Sequence, residues 1–325
     1  MGLKGKLFQK FLDKSGSYNY YKNKYEAMVK TVDRLEKSVE SNNRLFNTLY
    51  LDHRLTPTEL TQNFKDFSVE FLKFIDNVCM KHDLEWMIDY GTFLGAIRHG
   101  GFLPWDDDLD AGMMRKDYNK LIDILPDELE RNALTKDVRI TFKKKFEFVE
   151  GATTFVQIIY KQDEPKWIDL AALDIFPYDY MKDYNGEDLS VVYQNARNQF
   201  YHDVADTGDM DFVLERYFNS LNLTYDETPY LLNGVEGPLG SDKYKLMVLD
   251  KDEIMPFKRV SFEGTMLPGP KNSDYYLKNV YGNYWEIPMN LTFHPRMKRL
   301  RKYPNINEVY ERNIAKLKEI NDNFD

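Results

Sequence analysis

Residues 90–110 read Tyr90-Gly91-Thr92-Phe93-Leu94-Gly95-Ala96-Ile97-Arg98-His99-Gly100-Gly101-Phe102-Leu103-Pro104-Trp105-Asp106-Asp107-Asp108-Leu109-Asp110. Just upstream, 86–90 is short and apolar enough for a buried strand. Gly91-Thr92 turns the chain, and 93–98 reads as a short helix stopped by Gly100-Gly101. A second strand is expected over 109–113. Strand, turn, helix, acidic loop and strand in this order predict an α/β (α+β) fold. A small-residue turn opening a helix offers backbone N–H groups to a phosphate. Asp106, Asp108 and Asp110 alternate, so an extended backbone points them to one side and Asp107 to the other. Four carboxylates in five positions repel one another unless a cation neutralises them. Hard oxygen donors on one side suit Mg²⁺ or Mn²⁺, not zinc. A solvated acidic turn is the other reading of such a run. The apolar residues Leu109, Ala111 and Met113 on one side and Pro104-Trp105 on the other argue against it.

A third carboxylate is expected from Ala172-Leu173-Asp174-Ile175-Phe176-Pro177, because an acid among apolar neighbours is costly to bury unless paired or metal-bound. Arg98, Arg115 and Lys116 are near enough in sequence to balance phosphate charge. Arg98 could instead cap the C-terminus of its helix. His99 is either a phosphate donor or the last residue of that helix. Trp105 either packs the turn or stacks on a base. Tyr281-Gly282-Asn283-Tyr284-Trp285 sets three aromatics around a glycine, as a cage for a quaternary ammonium or as packing for the final strand. His294 and Arg296 follow, facing donor or acceptor.

Around this centre the chain is helical first. In 1–16, Leu3, Leu7, Phe8, Phe11 and Leu12 share a helical face flanked by Lys4, Lys6, Lys10 and Lys14, a pattern suited to an anionic membrane surface or to packing on protein. Tyr21, Tyr25, Met28, Val32, Leu35, Val39, Asn42, Phe46 and Leu49 recur at alternating spacings of four and three. That is a heptad seam, for a homodimeric coiled coil or for a long helix lying on the body. Thr56-Pro57-Thr58-Glu59 reads as a helix start with Thr56 as the cap, followed by an apolar stripe from Leu60 to Val78. A helix over 117–125 is expected to end at Pro126. Strands are expected over 138–142, 154–160 and 167–176. Residues 183–245 are polar and helical, an inserted subdomain expected to close over the donor, and short strands lead from 257 into a final helix. The expected organisation is an arm over 1–55 and a catalytic domain over 56–325 carrying the 183–245 insertion.

Composition bounds the function. Acidic residues outnumber basic ones 53 to 44, a net charge of −9, which argues against a nucleic-acid partner. Cys79 is the single cysteine, so no disulfide framework or cysteine-cluster zinc site can form within the chain. No uncharged apolar run approaches the ~20 residues that span a bilayer. The start carries no secretory pattern, and Lys6 breaks the myristoylation pattern, so a cytoplasmic protein is expected, touching the inner membrane face through 1–16. Aromatics make up 15% of residues, enough for a Phe/Tyr-rich core or for a site built on ring faces.

The run 91–110, with Arg115-x-Asp117-Tyr118, Asp174-Ile175-Phe176-Pro177 and Tyr281-Gly282-x-Tyr284-Trp285, resembles the LicD family. These are phosphotransferases related to phosphorylcholine transferases and, more distantly, to fukutin-related ribitol-phosphate transferases. The resemblance is dense over 58–125, good over 167–180 and looser over 255–295. It implies a nucleotidyltransferase-like mixed sheet flanked by helices. It also implies cleavage of a CDP-activated donor such as CDP-choline, with transfer of the phospho-alcohol to a glycan or lipid-linked glycan hydroxyl and release of CMP. On this reading Asp108, Asp110 and Asp174 are catalytic and hold Mg²⁺ or Mn²⁺. Gly91, Thr92, Arg98, His99, Trp105, Asp106, Asp107, Arg115, Lys116, Tyr281, Tyr284, Trp285 and His294 bind the donor. Ribitol- or glycerol-phosphate transfer, and glycosyl transfer from a nucleotide sugar through an Asp-x-Asp metal motif, are the alternatives. The lack of cysteines for the zinc site of fukutin-related proteins weakens kinship with the ribitol-phosphate branch.

Overall fold

The computed structural model describes residues 16–49, 56–141, 154–236, 246–287 and 296–324. The chain divides into two compact units, one of 1–55 with 286–292 and one of 56–285 with 293–325. In the first unit, α1 (Gly16–Asn47) is a single 32-residue helix. Its seam residues Tyr21, Tyr25, Met28, Val32, Leu35, Val39 and Phe46 are all exposed. The segment 1–15, where membrane contact was expected, lies outside the described residues.

The second unit opens with α2 (Glu59–Lys81), whose stripe of Phe64, Phe67, Phe71, Ile75 and Val78 is fully buried. Its cap is Thr58, not Thr56: Thr58 Oγ1 accepts the N–H of Thr61 at 3.3 Å, two residues later than expected. Then come β1 (Trp86–Ile88), α3 (Tyr90–His99), β2 (Leu109–Met114) and α4 (Arg115–Arg131). α4 does not stop at Pro126 but runs five residues past it. The added turn buries Leu129 and brings Glu128 to His82, whose ring lies 2.9 Å from the carboxylate. β3 (Val138–Thr141), β4 (Val156–Gln162) and β5 (Ile168–Met181) complete the central sheet.

β5 is the spine. At 14 residues it is long enough to pair with β4 along its first half and with later strands along its second. The order is β1-β2-β5-β4-β3, with β2 and β5 parallel and the other pairs antiparallel, so the sheet is mixed. The segment after β5 holds α5 (Ser190–Thr207) and α6 (Met210–Ser220), as expected of a helical insertion. It also returns two strands to β5, β6 (Leu223–Thr224) and β7 (Tyr230–Asn233), so it is rooted in the main sheet. Its own apolar cluster includes Tyr193, Phe200, Val204 and Val213.

β8 (Val248–Asp250) pairs with β7, α7 (Lys251–Ile254) follows, and β9 (Lys258–Phe262) and β10 (Thr265–Gly269) form a hairpin. Its turn carries Glu263 at φ 45° and Gly264 at φ 79°. Last come α8 (Ser273–Tyr281), α9 (Arg296–Leu300) and α10 (Ile306–Asp322). α10 packs beside α2, where Phe67 meets Tyr160 at 4.9 Å and Tyr310 at 5.4 Å. Large rings thus fill the space between helices and sheet, which accounts for much of the aromatic content. No described helix is long and apolar enough to cross a membrane.

Candidate active site

The site forms where the start of β2 meets the start of α3. Asp89 caps α3: its Oδ1 accepts the Tyr90 N–H at 2.8 Å, and its own N–H donates to Asp110 O at 2.9 Å. That bond draws Asp110 against the first turn of the helix. Gly91 N–H donates to Asp110 Oδ2 at 3.1 Å, and Asp110 N–H donates to Thr92 Oγ1 at 2.8 Å. The turn read from sequence as a phosphate cradle therefore grips a carboxylate. The positive end of the helix dipole favours the negative charge held there. Both turn residues belong to α3, which begins three residues earlier than expected. Tyr90 has φ 34°, a left-handed conformation costing about 1–3 kcal/mol for such a residue. The Asp89 cap and an edge-on contact of its ring with Phe176 at 5.3 Å hold it there.

Alternation along the acidic run is as expected. Asp106, Asp108 and Asp110 are half-buried on one side, and Asp107 and Leu109 are buried on the other. Parallel pairing puts Asp110 opposite Asp174, on one face of the sheet. Asp174 Oδ1 accepts from Gln157 Nε2 at 2.8 Å, Gln157 being its partner across β4. Burial pushes the Asp110 carboxyl well above the usual range, and the charges of Asp108, Asp106, Asp174 and Asp89 push it further. Asp106 is raised too, by burial and by its hydrogen bond and charge contact with Asp108. Among the described residues no three acid, imidazole or thiol side chains are already converged as a metal-holding group. The donor chemistry still fits a hard divalent ion, since these are oxygen ligands at close quarters that resist ionising together.

Glycine at 91 leaves room for the Asp106 carboxylate. A Cβ there would stand 2.7 Å from Asp106 Oδ2 and 3.4 Å from Asp110 Oδ2. Gly91→Ala is expected to leave the fold intact but shift Asp106, lowering kcat by about 10–100-fold, since ~1 Å of misplacement at a reacting centre has that effect. Turnover alongside a melting curve checks this, and unchanged turnover would remove Asp106 from the site.

The other expected residues divide. Arg98 Nη1 donates to Tyr284 O at 2.7 Å, its guanidinium lies 5.5 Å from the Trp105 ring centre, and the His99 ring meets Trp105 edge-on at 6.2 Å. Burial lowers Arg98 to about 10. Tyr281 is 40% exposed, and its phenol is driven up by burial and by the charges of Asp110, Asp89, Tyr90 and Asp106, so it lies in their field. Tyr284 is buried and its hydroxyl donates to Asp274 at 3.1 Å, while Trp285 is 53% exposed. Beyond the end of α8, where Gly282 leaves the helix at φ 69°, Tyr284 and Trp285 lie ring against ring, centroids 5.1 Å apart and tilted by 32°. His294 lies outside the described residues.

Three expectations are corrected. Arg115 is buried and forked onto Asp179, with Nε–Oδ1 and Nη2–Oδ2 both 2.7 Å, and it also bonds Glu236, with Nη2–Oε2 2.8 Å. It holds the far end of β2 to β5 and does not face the carboxylates. Lys116 is exposed beside it. The reason is extension: Arg115 lies five steps along the strand from Asp110, about 16 Å at ~3.3 Å per residue. Asp107 is an anchor, not a donor ligand: its Oδ2 accepts the Met297 N–H at 2.9 Å and its carbonyl accepts from Arg296.

Sequence reasoning missed four contributors. Asp89 is fully buried and raised to about 6 by burial, offset by hydrogen bonds from Tyr276, Tyr90 N–H and Tyr178. An Asp just before a small-residue helix start was the available signal. Gln157, Tyr178 and Tyr276 gave none, because only strand register and helix packing bring them in. A cleft of about 490 Å³ within the 183–245 segment, lined by residues including Asp183, Tyr184, Glu187, Tyr193, Asn222 and Tyr230, contains none of the site carboxylates.

A mixed sheet whose parallel strand pair and helix N-terminus gather a rank of carboxylates makes this an α/β protein with an acidic site. Residues 83–217 match the LicD/FKTN/FKRP nucleotidyltransferase domain, so this stretch of the chain is similar to that domain. The match reaches into α6, past the motifs at 91–118 and 174–177, and ends before the looser resemblance over 255–295. The chain is 38% identical over 56 residues to the lipopolysaccharide cholinephosphotransferase LicD of Haemophilus influenzae, covering 17% of this chain and 21% of that protein. It is 30% identical over 93 residues to an uncharacterised protein of Rickettsia prowazekii, 29% of this chain and 33% of the relative. A third relative, from Rickettsia typhi, is 40% identical over 57 residues, 18% of each chain. The chain thus spans about a fifth to a third of the curated relatives it matches.

Proposed function

We propose that this protein transfers a phospho-alcohol, with phosphocholine the leading case, from a CDP-activated donor to a hydroxyl of a cell-surface glycan or glycolipid precursor. The observation that carries this is Asp110, held at the N-terminus of α3 by Gly91 and Asp89, directly across from Asp174 and on the same side as Asp106 and Asp108. The acceptor oxygen attacks the phosphorus that bears the alcohol. A new P–O bond forms, the bond to the bridging oxygen breaks, and CMP leaves with the electron pair. The hydroxyl proton passes to a carboxylate of the cluster, with Asp174 oriented for it by Gln157. Asp108, Asp110 and Asp174 are the oxygens that would hold Mg²⁺ or Mn²⁺, which when bound supplies neutralisation of the diphosphate charge. Arg98, over Trp105 and in the field of Tyr281, is the cation assigned to the donor side. The lipopolysaccharide cholinephosphotransferase among the relatives supports the choice of alcohol and acceptor class.

The test is a thermal-shift panel with Mg²⁺ and with EDTA, comparing CDP-choline, CDP-ethanolamine, CDP-ribitol, CDP-glycerol, CMP and UDP-N-acetylglucosamine. A ligand at ~100 times its Kd adds about 2.7 kcal/mol, a rise of several degrees. Metal-dependent stabilisation by one CDP-alcohol beyond that by CMP is expected. Stabilisation by the UDP-sugar alone would replace this reading with glycosyl transfer.

A further inference from the structure

In a chain of net charge −9, residues 287–307 hold five cations, Arg296, Lys298, Arg299, Arg301 and Lys302, and no acid. Lys298, Arg299, Arg301 and Lys302 are all exposed, and none has an ion-pair partner among the described residues. Their backbone is fixed from below. Leu300 and Tyr303 are buried, Met297 N–H and the Arg296 guanidinium are tied to Asp107, and Tyr303 OH donates to Glu164 O at 2.7 Å. That last bond, with a weaker one from Lys166 N–H to Tyr303 OH at 3.4 Å, brings the loop before β5 alongside. On that loop Trp167 is 48% exposed, with the Arg139 guanidinium 5.0 Å from its ring centre. Asp169, two residues on, lies in the field of Arg139, Arg296 and Arg299, so these groups share one surface.

We propose that this basic turn, with Trp167 beside it, is a docking surface for the anionic phospholipid headgroups of a membrane. Clusters of four or more uncompensated Lys and Arg are attracted to anionic bilayers, and an exposed tryptophan is the side chain that settles at the headgroup level. A polynucleotide is disfavoured by the overall negative charge. Because the turn is bonded to Asp107, between the half-buried Asp106 and Asp108, docking would hold the carboxylate site close to the lipid surface. The inference does not depend on which group the site transfers.

Flotation of the full chain with vesicles tests it. Binding is expected to vesicles containing phosphatidylglycerol, not to phosphatidylcholine alone, and to fall as salt is raised. Replacing Lys298 and Arg301 by Gln should weaken it about 30-fold, on the order of fivefold per cation, with the melting temperature unchanged. Trp167→Ala should weaken it several-fold without altering the salt dependence. Unchanged flotation of a K298Q/R299Q/R301Q/K302Q variant would overturn the proposal. So would loss confined to a K4Q/K6Q/K10Q/K14Q variant, or equal binding to DNA or an anionic polysaccharide.

Discussion

Asp110→Asn is expected to lower CMP release about 10³-fold while raising the melting temperature of the metal-free protein. The activity loss follows from removing the carboxylate on which the site is centred, since charge stabilisation by a bound cation is worth several kcal/mol and each ~1.4 kcal/mol is tenfold. The stability gain follows from the sign of the titration. Asp110 and Asp106 are raised above their unfolded values, and Asp89 is raised to about 6. A carboxyl raised in the folded state binds more protons there than in the unfolded chain, whose Asp titrates near ~3.9. Stability of the metal-free protein therefore falls as pH rises through that window, which for Asp89 closes near 6. Asparagine removes one charge and should flatten the slope, and Mg²⁺ should flatten it in the parent. Melting curves from pH 4 to 8, with EDTA or Mg²⁺, read both effects alongside turnover. A variant that is less stable and fully active would dismantle the site as described.

Arg115→Ala is expected to act in the opposite way, on stability and not on chemistry. It would leave Asp179 and Glu236 buried without their cation, both side chains being wholly inaccessible. Breaking a buried pair by removing one partner costs about 3–5 kcal/mol. That corresponds to a fall of roughly 5–15 °C in Tm for a chain of this size. Donor affinity of the fraction that remains folded should be within about twofold of the parent, because the triad lies ~16 Å along β2 from Asp110. Denaturant unfolding gives the first quantity and donor titration below the transition gives the second. A loss of donor affinity with little loss of stability would return Arg115 to the binding site.

These contrasting outcomes come from one property of chains. Periodicity and composition report which way side chains point relative to near neighbours, so the alternation of Asp106, Asp108 and Asp110 against Asp107 was legible, as were the Gly91-Thr92 helix start and the apolar stripe of α2. Even Asp174 was legible, because an acid inside an apolar run carries its own anomaly. Distance along an extended segment was the point at which nearness in sequence misled, placing Arg115 and Lys116 with the donor. Asp107 was assigned to the donor because its true partners, Met297 and Arg296, lie about 190 positions away.

What the sequence determined by itself was therefore the local arrangement: a rank of carboxylates beside a small-residue helix start, in an α/β framework. What only the tertiary structure decided was which residues share that place. Strand register set Asp110 against Asp174 and brought Gln157 to it, and helix packing carried Tyr276 to Asp89 and Tyr281 toward the carboxylates. Local pattern is written in spacings of two to four residues, whereas these meetings depend on a sheet and a core that form only once the whole domain has folded.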